Sequence, residues 1–286
     1  MEENTMAGEF ELSTHNDIEF AEHDGTRLIG DLYLPKGLNR APLVVAVHGG
    51  GWQIGTRKFY THWGDYLARN GFGVFAVDYR LMKPGVKTYP GAVYDVKAAV
   101  QFVRAKARDL AIDPDRIGLM GDSAGAHLAA RVALAPEEFS AEYRNDPHSS
   151  AGAGIKAVVG VYGVYDMLAQ WQHDQTARPR DQISEKFLGA SPMVDRRVFF
   201  ASSPLSYATV DKNSTRFLLV YGSHDDIVDP AAQSAVFLTA LKQAQFVARA
   251  LVVPGAGHFW VADPLEPGSF GAYAAPKILL FLKAWL

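Results

Sequence analysis

The 286-residue sequence contains no cysteine. That excludes a disulfide framework, a thiolate metal site and a cysteine nucleophile. No run of 18 apolar residues occurs, so the sequence offers no membrane span. The formal net charge is only −3, which carries no electrostatic footprint for a nucleic-acid partner. The opening residues Met1-Glu2-Glu3-Asn4 are acidic and lack the basic-then-apolar layout of a signal peptide, so a cytoplasmic location is expected. Internal repeats and low-complexity segments are absent as well. What is present is the balance of an ordinary globular protein, 48% hydrophobic and 21% charged. A chain of this length can bury a large core in a single α/β domain. Oligomeric state is not legible in the sequence.

Residues 1–16 are polar and without period, and read as an N-terminal extension. A hairpin follows, with Ile18–Glu22 and Arg27–Leu34 flanking the Asp24-Gly25 turn signal. From Leu43 onward, short continuous apolar runs alternate with helical patterns. The runs Leu43–Val47, Gly73–Val77, Arg116–Met120, Ile155–Val161, Phe217–Tyr221 and Arg249–Val253 are expected as buried strands. Helices are expected over Lys58–Asn70, Val93–Leu110, Ser123–Leu134, Pro230–Ala244 and Pro276–Leu286. This alternation implies an α/β fold with a mainly parallel sheet and helices on both faces. Ligands of such sheets bind beyond the carboxyl ends of the strands. One interval breaks the rhythm, because more than fifty residues separate the strand near 160 from the one near 217. Residues 164–207 read as a small cap insertion above the sheet, with an ordinary long crossover as the alternative. The interval contains Trp171, the pair Phe199-Phe200, and helix-like stretches at 181–188 and 193–201, and Trp171 is expected to line the substrate pocket, its large ring closing the far end of the acyl site.

Three strand ends carry chemistry. Gly121-Asp122-Ser123-Ala124-Gly125 fits G-x-S-x-G between a buried strand and a helix. A serine there occupies a strained turn that lifts its hydroxyl above the sheet, and small neighbours let strand and helix pass closely. Directly after Leu43–Val47 comes His48-Gly49-Gly50-Gly51-Trp52, a run able to turn backbone N–H groups into a cleft. Gly50, Gly51 and Ala124 are the expected oxyanion donors. His48 is expected to hold the loop rather than react. Trp52 is either a wall of the acyl pocket or simple packing. Of the nine histidines, His258 in a Gly-flanked loop past the last strand is the best placed base, and His127 on the elbow helix reads as packing. The acid follows Phe217–Tyr221, where Asp225 is the first choice and Asp226 the second; Asp229 reads as a helix cap.

The order Ser123, Asp225, His258 at three separate strand ends resembles the α/β-hydrolase superfamily, over nearly the whole chain from about residue 17. The His-Gly-Gly-Gly-Trp loop and the Gly-Asp-Ser-Ala-Gly elbow resemble hormone-sensitive-lipase-like carboxylesterases. Ala126 stands where those enzymes usually have a further glycine, and Asp225-Asp226-Ile227-Val228 stands where they usually have Asp-Pro-Leu. The segment Gly222–Ser234 is closer to esterases grouped with bacterial feruloyl and acetyl-xylan esterases. In those relatives the acid is the aspartate that matches Asp225. The resemblance implies hydrolysis of a small-molecule ester through a serine acyl-enzyme, with no metal and no organic cofactor. Ser123–Leu128 also resembles the kynurenine formamidase elbow, so an amide hydrolase of the arylformamidase type is the alternative. A receptor module on the same fold would typically lack a triad member, and a peptidase would carry a second, propeller-like domain.

Overall fold

The computed structural model describes residues 10–139, 143 and 146–286. Eight strands form one sheet in the order β1-β2-β4-β3-β5-β6-β7-β8. The hairpin is β1 (Leu12–His23) and β2 (Thr26–Pro35), paired antiparallel. β2 also pairs antiparallel with β4 (Gly73–Val77). The rest is parallel: β4 to β3 (Ala41–Val47), β3 to β5 (Ile112–Asp122), then β6 (Ala157–Val161), β7 (Arg216–Gly222) and β8 (Ala248–Val253). Every residue of β3, β4 and β6 is buried. These are the continuous apolar runs, and they lie flat between two helical layers because both of their faces must leave water.

Helices α1 (Thr61–Arg69) and α8 (Phe270–Trp285) supply one apolar layer. Helices α2 (Gly91–Ala105), α3 (Ala124–Leu134) and α7 (Val236–Gln243) supply the other. The α/β class expected from the alternation is the one observed. Some boundaries differ. β1 begins at Leu12, so Leu12–Asn16 belong to the sheet rather than to an extension, and residues 1–9 of that segment lie outside the described ones. Pairing with β2 orders these polar residues, which their composition alone does not announce. α8 begins six residues before Pro276, where Ser269 Oγ accepts from the Ala272 amide at 3.1 Å. The helix continues through the proline, despite the missing N–H, because Ala274, Ala275, Ile278 and Leu282 are buried against the sheet.

Between β6 and β7 run α4 (Met167–Ala177), α5 (Ile183–Leu188) and α6 (Arg196–Ser202). α4 has no apolar stripe, which is why the sequence pattern missed it. Its one local signal is Asp166, whose Oδ1 caps the amides of Leu168 and Ala169 at 2.9 and 3.0 Å. The start of this segment is held from a distance by Gln233. That buried side chain sits in a π-type turn, Ala231–Ala235, just before α7. Its Oε1 accepts from the amides of Tyr165 and Asp166 at 2.7 and 2.8 Å, and its Nε2 donates to the Asp166 carbonyl at 2.9 Å. Truncation leaves three backbone groups unpaired in a dry place. Gln233→Ala is therefore expected to cost about 2–4 kcal/mol in urea unfolding. A loss below about 0.5 kcal/mol would mean that water replaces the amide.

Candidate active site

Ser123 joins β5 to α3 with φ 51° and ψ −119°, a conformation costly for any residue with a Cβ. The turn is over-determined. The Ser123 amide donates to the Val161 carbonyl of β6 at 2.9 Å, and the Ser123 carbonyl accepts from the His127 amide at 3.2 Å. A Cβ on Gly125 would overlap the Val47 carbonyl oxygen, and one on Gly121 would overlap the Gly125 carbonyl. The flanking residues are small because α3 crosses the ends of β3 and β5 in contact with their backbone. The hydroxyl thus emerges at the carboxyl edge of the sheet, 8% of the residue remaining exposed.

His258 arrives there from the loop after β8. Its Nε2 lies 3.0 Å from Ser123 Oγ, and its Nδ1 lies 2.8 Å from Asp225 Oδ2. The other oxygen of Asp225 accepts from the amides of Ile227 and Val228, both at 3.0 Å. These bonds aim a buried carboxylate at the ring and assign the proton of the neutral imidazole to Nδ1, leaving Nε2 to accept from the serine. Asp226 points away and is exposed; its carbonyl accepts from His173 Nε2 at 3.0 Å. Asp229 Oδ1 accepts from the Ala231 amide at 2.9 Å, the capping contact expected of it. Tyr162 and Phe259, not singled out in the sequence, flank the imidazole with ring centroids at 4.3 and 4.5 Å.

The glycine loop lies across from the elbow. Gly50 has φ 109° and Gly51 φ 57°, and the Gly50 carbonyl turns away to accept from Gln53 and Ile54 at 3.1 and 3.0 Å. Gly50, Gly51 and Ala124 line the same cleft as Ser123 and His258. His48 sits behind the loop, stacked on Tyr79 at 4.4 Å, with Nδ1 donating to the Gly49 carbonyl at 2.7 Å. Burial holds its pKa below the usual value, which suits a neutral ring that shapes the loop. His127 is likewise sealed. It accepts from Trp52 Nε1 at 3.2 Å, donates to the Ser202 carbonyl at 2.9 Å, and burial pulls its pKa down to about 3.

The cleft has a volume of about 200 Å³. Trp52 belongs both to its wall and to the core, stacked on Phe187 at 4.4 Å. The segment between β6 and β7 supplies Val164, Gln170, Arg178, Asp181 and Ile183 to the wall. Trp171 is not part of that wall. Its Nε1 donates to Glu185 Oε1 at 2.6 Å, and its ring packs against the core. On α4 the side chain one position earlier, Gln170, faces the cleft, so Trp171 is turned about 100° away from it. Among the described residues no group of three or more histidines and carboxylates is arranged to hold a metal ion. No helix among them is long and apolar enough to cross a membrane.

A parallel sheet with a strained serine elbow, facing a histidine and an acid from the last two strands, defines an α/β-hydrolase. The chain belongs to the BD-FAE family, which it matches over residues 30–241. Esterase LipQ of Mycobacterium tuberculosis is 34% identical over 212 residues, covering 72% of this chain and 47% of LipQ. Esterase LipC of the same organism is 31% identical over 253 residues, covering 85% of this chain and 58% of LipC. The chain thus spans about half the length of these curated relatives. The fold is shared with a truncated carbohydrate esterase from gut microbiota, with a TM-score of 0.78 at 23% identity and 96% of each chain covered.

One group beneath the site was not anticipated. Asp122, inside the elbow, is buried, and its Oδ1 accepts from the Gly49 amide at 2.9 Å. Burial raises its pKa to about 6, against the opposing pull of Tyr60, of the Gly49 amide and of His258. A carboxyl whose pKa is higher folded than unfolded is most favourable to stability when protonated. That contribution is present below about pH 4 and is lost as pH rises through about 6. Asp122→Asn keeps an acceptor for Gly49 and removes the charge. The variant is expected to be more stable than the wild type at pH 7–8, by on the order of 2–3 kcal/mol, with the gain vanishing near pH 4. Urea midpoints across that range decide it; a gain independent of pH would assign the effect to something other than ionisation.

Proposed function

We propose that this protein hydrolyses small-molecule carboxylic esters, with Ser123 as nucleophile, His258 as general base and Asp225 as the acid that orients it. The observation that carries this reading is the unbroken relay from Asp225 through His258 to Ser123, at 2.8 and 3.0 Å, opening into a cleft edged by glycine amides. The serine oxygen attacks the ester carbonyl while His258 Nε2 takes its proton. Nδ1–H stays on the ring, held by Asp225, and the imidazolium is stabilised by that carboxylate. The amides of Gly50, Gly51 and Ala124 receive the tetrahedral oxyanion, with the N-terminus of α3 adding partial positive charge. His258 then protonates the departing alcohol. A water molecule, deprotonated by the same ring, attacks the acyl-enzyme and releases the acid. These steps call for no metal and no organic cofactor. Residues 164–207 act as a small cap, because their side chains form one wall of the cleft and so bear on which acyl groups enter. The esterase names of LipQ and LipC support the ester rather than the amide reading.

Ser123→Ala should abolish turnover of p-nitrophenyl acetate while circular dichroism and the urea midpoint stay close to wild type, and an organophosphate should label Ser123 in the parent protein. Label on any other serine would remove the assignment. Asp225→Asn should lower kcat by a factor on the order of 10⁴, since the imidazole loses both its tautomer and its counter-charge. Asp226→Asn, on an exposed side chain, should stay within about twofold of wild type. A reversed pair of effects would move the acid to Asp226. Faster cleavage of an aryl formamide than of the matched ester would replace the ester reading by the arylformamidase one.

A further inference from the structure

Beside the cleft runs a groove of about 890 Å³ that the proposed reaction does not use. Gln53 and Ile54 belong to the walls of both, so the two spaces meet across the loop that follows the glycine run. One bank of the groove is Met82–Lys87; the other is α5 and the turn after it, to Ser191. The cleft at Ser123, at about 200 Å³, houses the reacting carbonyl and a short group beside it. Any longer substrate must leave the cleft, and this groove is the adjoining space.

Its chemistry is one-sided. Lys83, Lys87 and Lys186 line it, against the single carboxylate Glu185. That carboxylate already accepts a hydrogen bond from Trp171 Nε1. Among the described residues none of these three ammonium groups is paired with a carboxylate, unlike those of Lys36 and Lys58, although several other lysines of the chain are unpaired as well. A local excess of positive charge therefore stands beside the site of a chain whose net charge is −3. Between the lysines lie open apolar surfaces, Ile54 at 63% and Val86 at 56% exposure. Cations spaced along an apolar floor match an extended substrate portion that carries a negative charge some distance from the ester.

We propose that this groove binds the part of the ester substrate remote from the reacting carbonyl, and that this part is an extended chain bearing a carboxylate. The inference rests on the ester-hydrolase reading. Lys83, Lys87 and Lys186 set the preference for an anionic substrate, and Ile54 and Val86 carry the chain toward them. The attraction acts mainly on capture of the substrate, so it appears in KM and kcat/KM and is screened by salt.

The test uses the full chain and two sets of probes. One set is the acetate esters of ω-hydroxyalkanoates of four to twelve carbons, with the matching ω-hydroxyalkanamides. The other is the monomethyl esters of α,ω-diacids with the matching terminal amides, so that either flank of the ester can reach the groove. In at least one set the carboxylate member should exceed its amide in kcat/KM by about tenfold at low salt. That figure corresponds to about twofold per exposed ion pair over three lysines. The advantage should grow with chain length before levelling, and it should shrink toward one at 0.5 M NaCl. The triple variant K83Q/K87Q/K186Q should lose the preference through KM while its rates on the amides hold. Equal rates on carboxylate and amide at every length would overturn the proposal, as would a preference that the triple variant keeps. Hydrolysis of p-nitrophenyl acetate separates this outcome from failure of the ester-hydrolase reading, because in the latter case that ester and both probe sets all go uncleaved.

Discussion

The close crossing of α3 over the ends of β3 and β5 is the constraint on which the site depends. It forces small residues at positions 121 and 125, and it holds Ser123 at positive φ with its hydroxyl above the sheet. Such strain persists only where the surroundings over-determine it. Here the bond from the Ser123 amide to β6 and the packing of a sheet buried on both faces do so. Ser123 is held in place because it is built on the buried centre of the sheet.

Around that fixed point the remaining groups arrive on loops, each held by its own local bonds. Asp225 is aimed by the two amides that follow it, and His258 is clasped between Asp225 and the ring of Tyr162. The glycine loop is braced from below by His48 and by Asp122. Asp122 illustrates a conflict between stability and arrangement: a carboxylate is kept in a dry site where its charge is unfavourable, and in return it fastens the loop to the elbow. Burial beside that carboxylate also pushes the hydroxyls of Tyr60 and Tyr79 well up, so both rings stay neutral.

The segment between β6 and β7 divides its residues between these two tasks. Val164, Gln170, Arg178, Asp181 and Ile183 face the cleft, while Trp171 and Phe187 support the helices from behind. Arg178 is itself held by Asp174 at 2.6 Å, so its charge in the cleft is already balanced. The unbalanced charge lies one step farther out, in the groove beyond Gln53 and Ile54.

The sequence by itself determined the fold class, because alternating buried strands and amphipathic helices leave few layered solutions. It also determined which residues stand at the ends of β3, β5, β7 and β8, since a strand's carboxyl end is a property of chain order. Short-range chemistry was legible too: the elbow, the glycine loop, and the Asp229 cap. It did not decide the length of β1, the helix α4, or which face of α4 meets the cleft, so Gln170 was overlooked in favour of Trp171. Those depend on partners far away in the chain, such as β2 for β1 and Gln233 for the start of the segment that contains α4. The choice between Asp225 and Asp226 is of the same kind. Both residues have the right chemistry and lie one position apart, and only the path of the loop after β7 turns one inward to His258 and the other out to water. Burial and direction are properties of the packed chain, because they are set by what lies opposite and not by what lies adjacent.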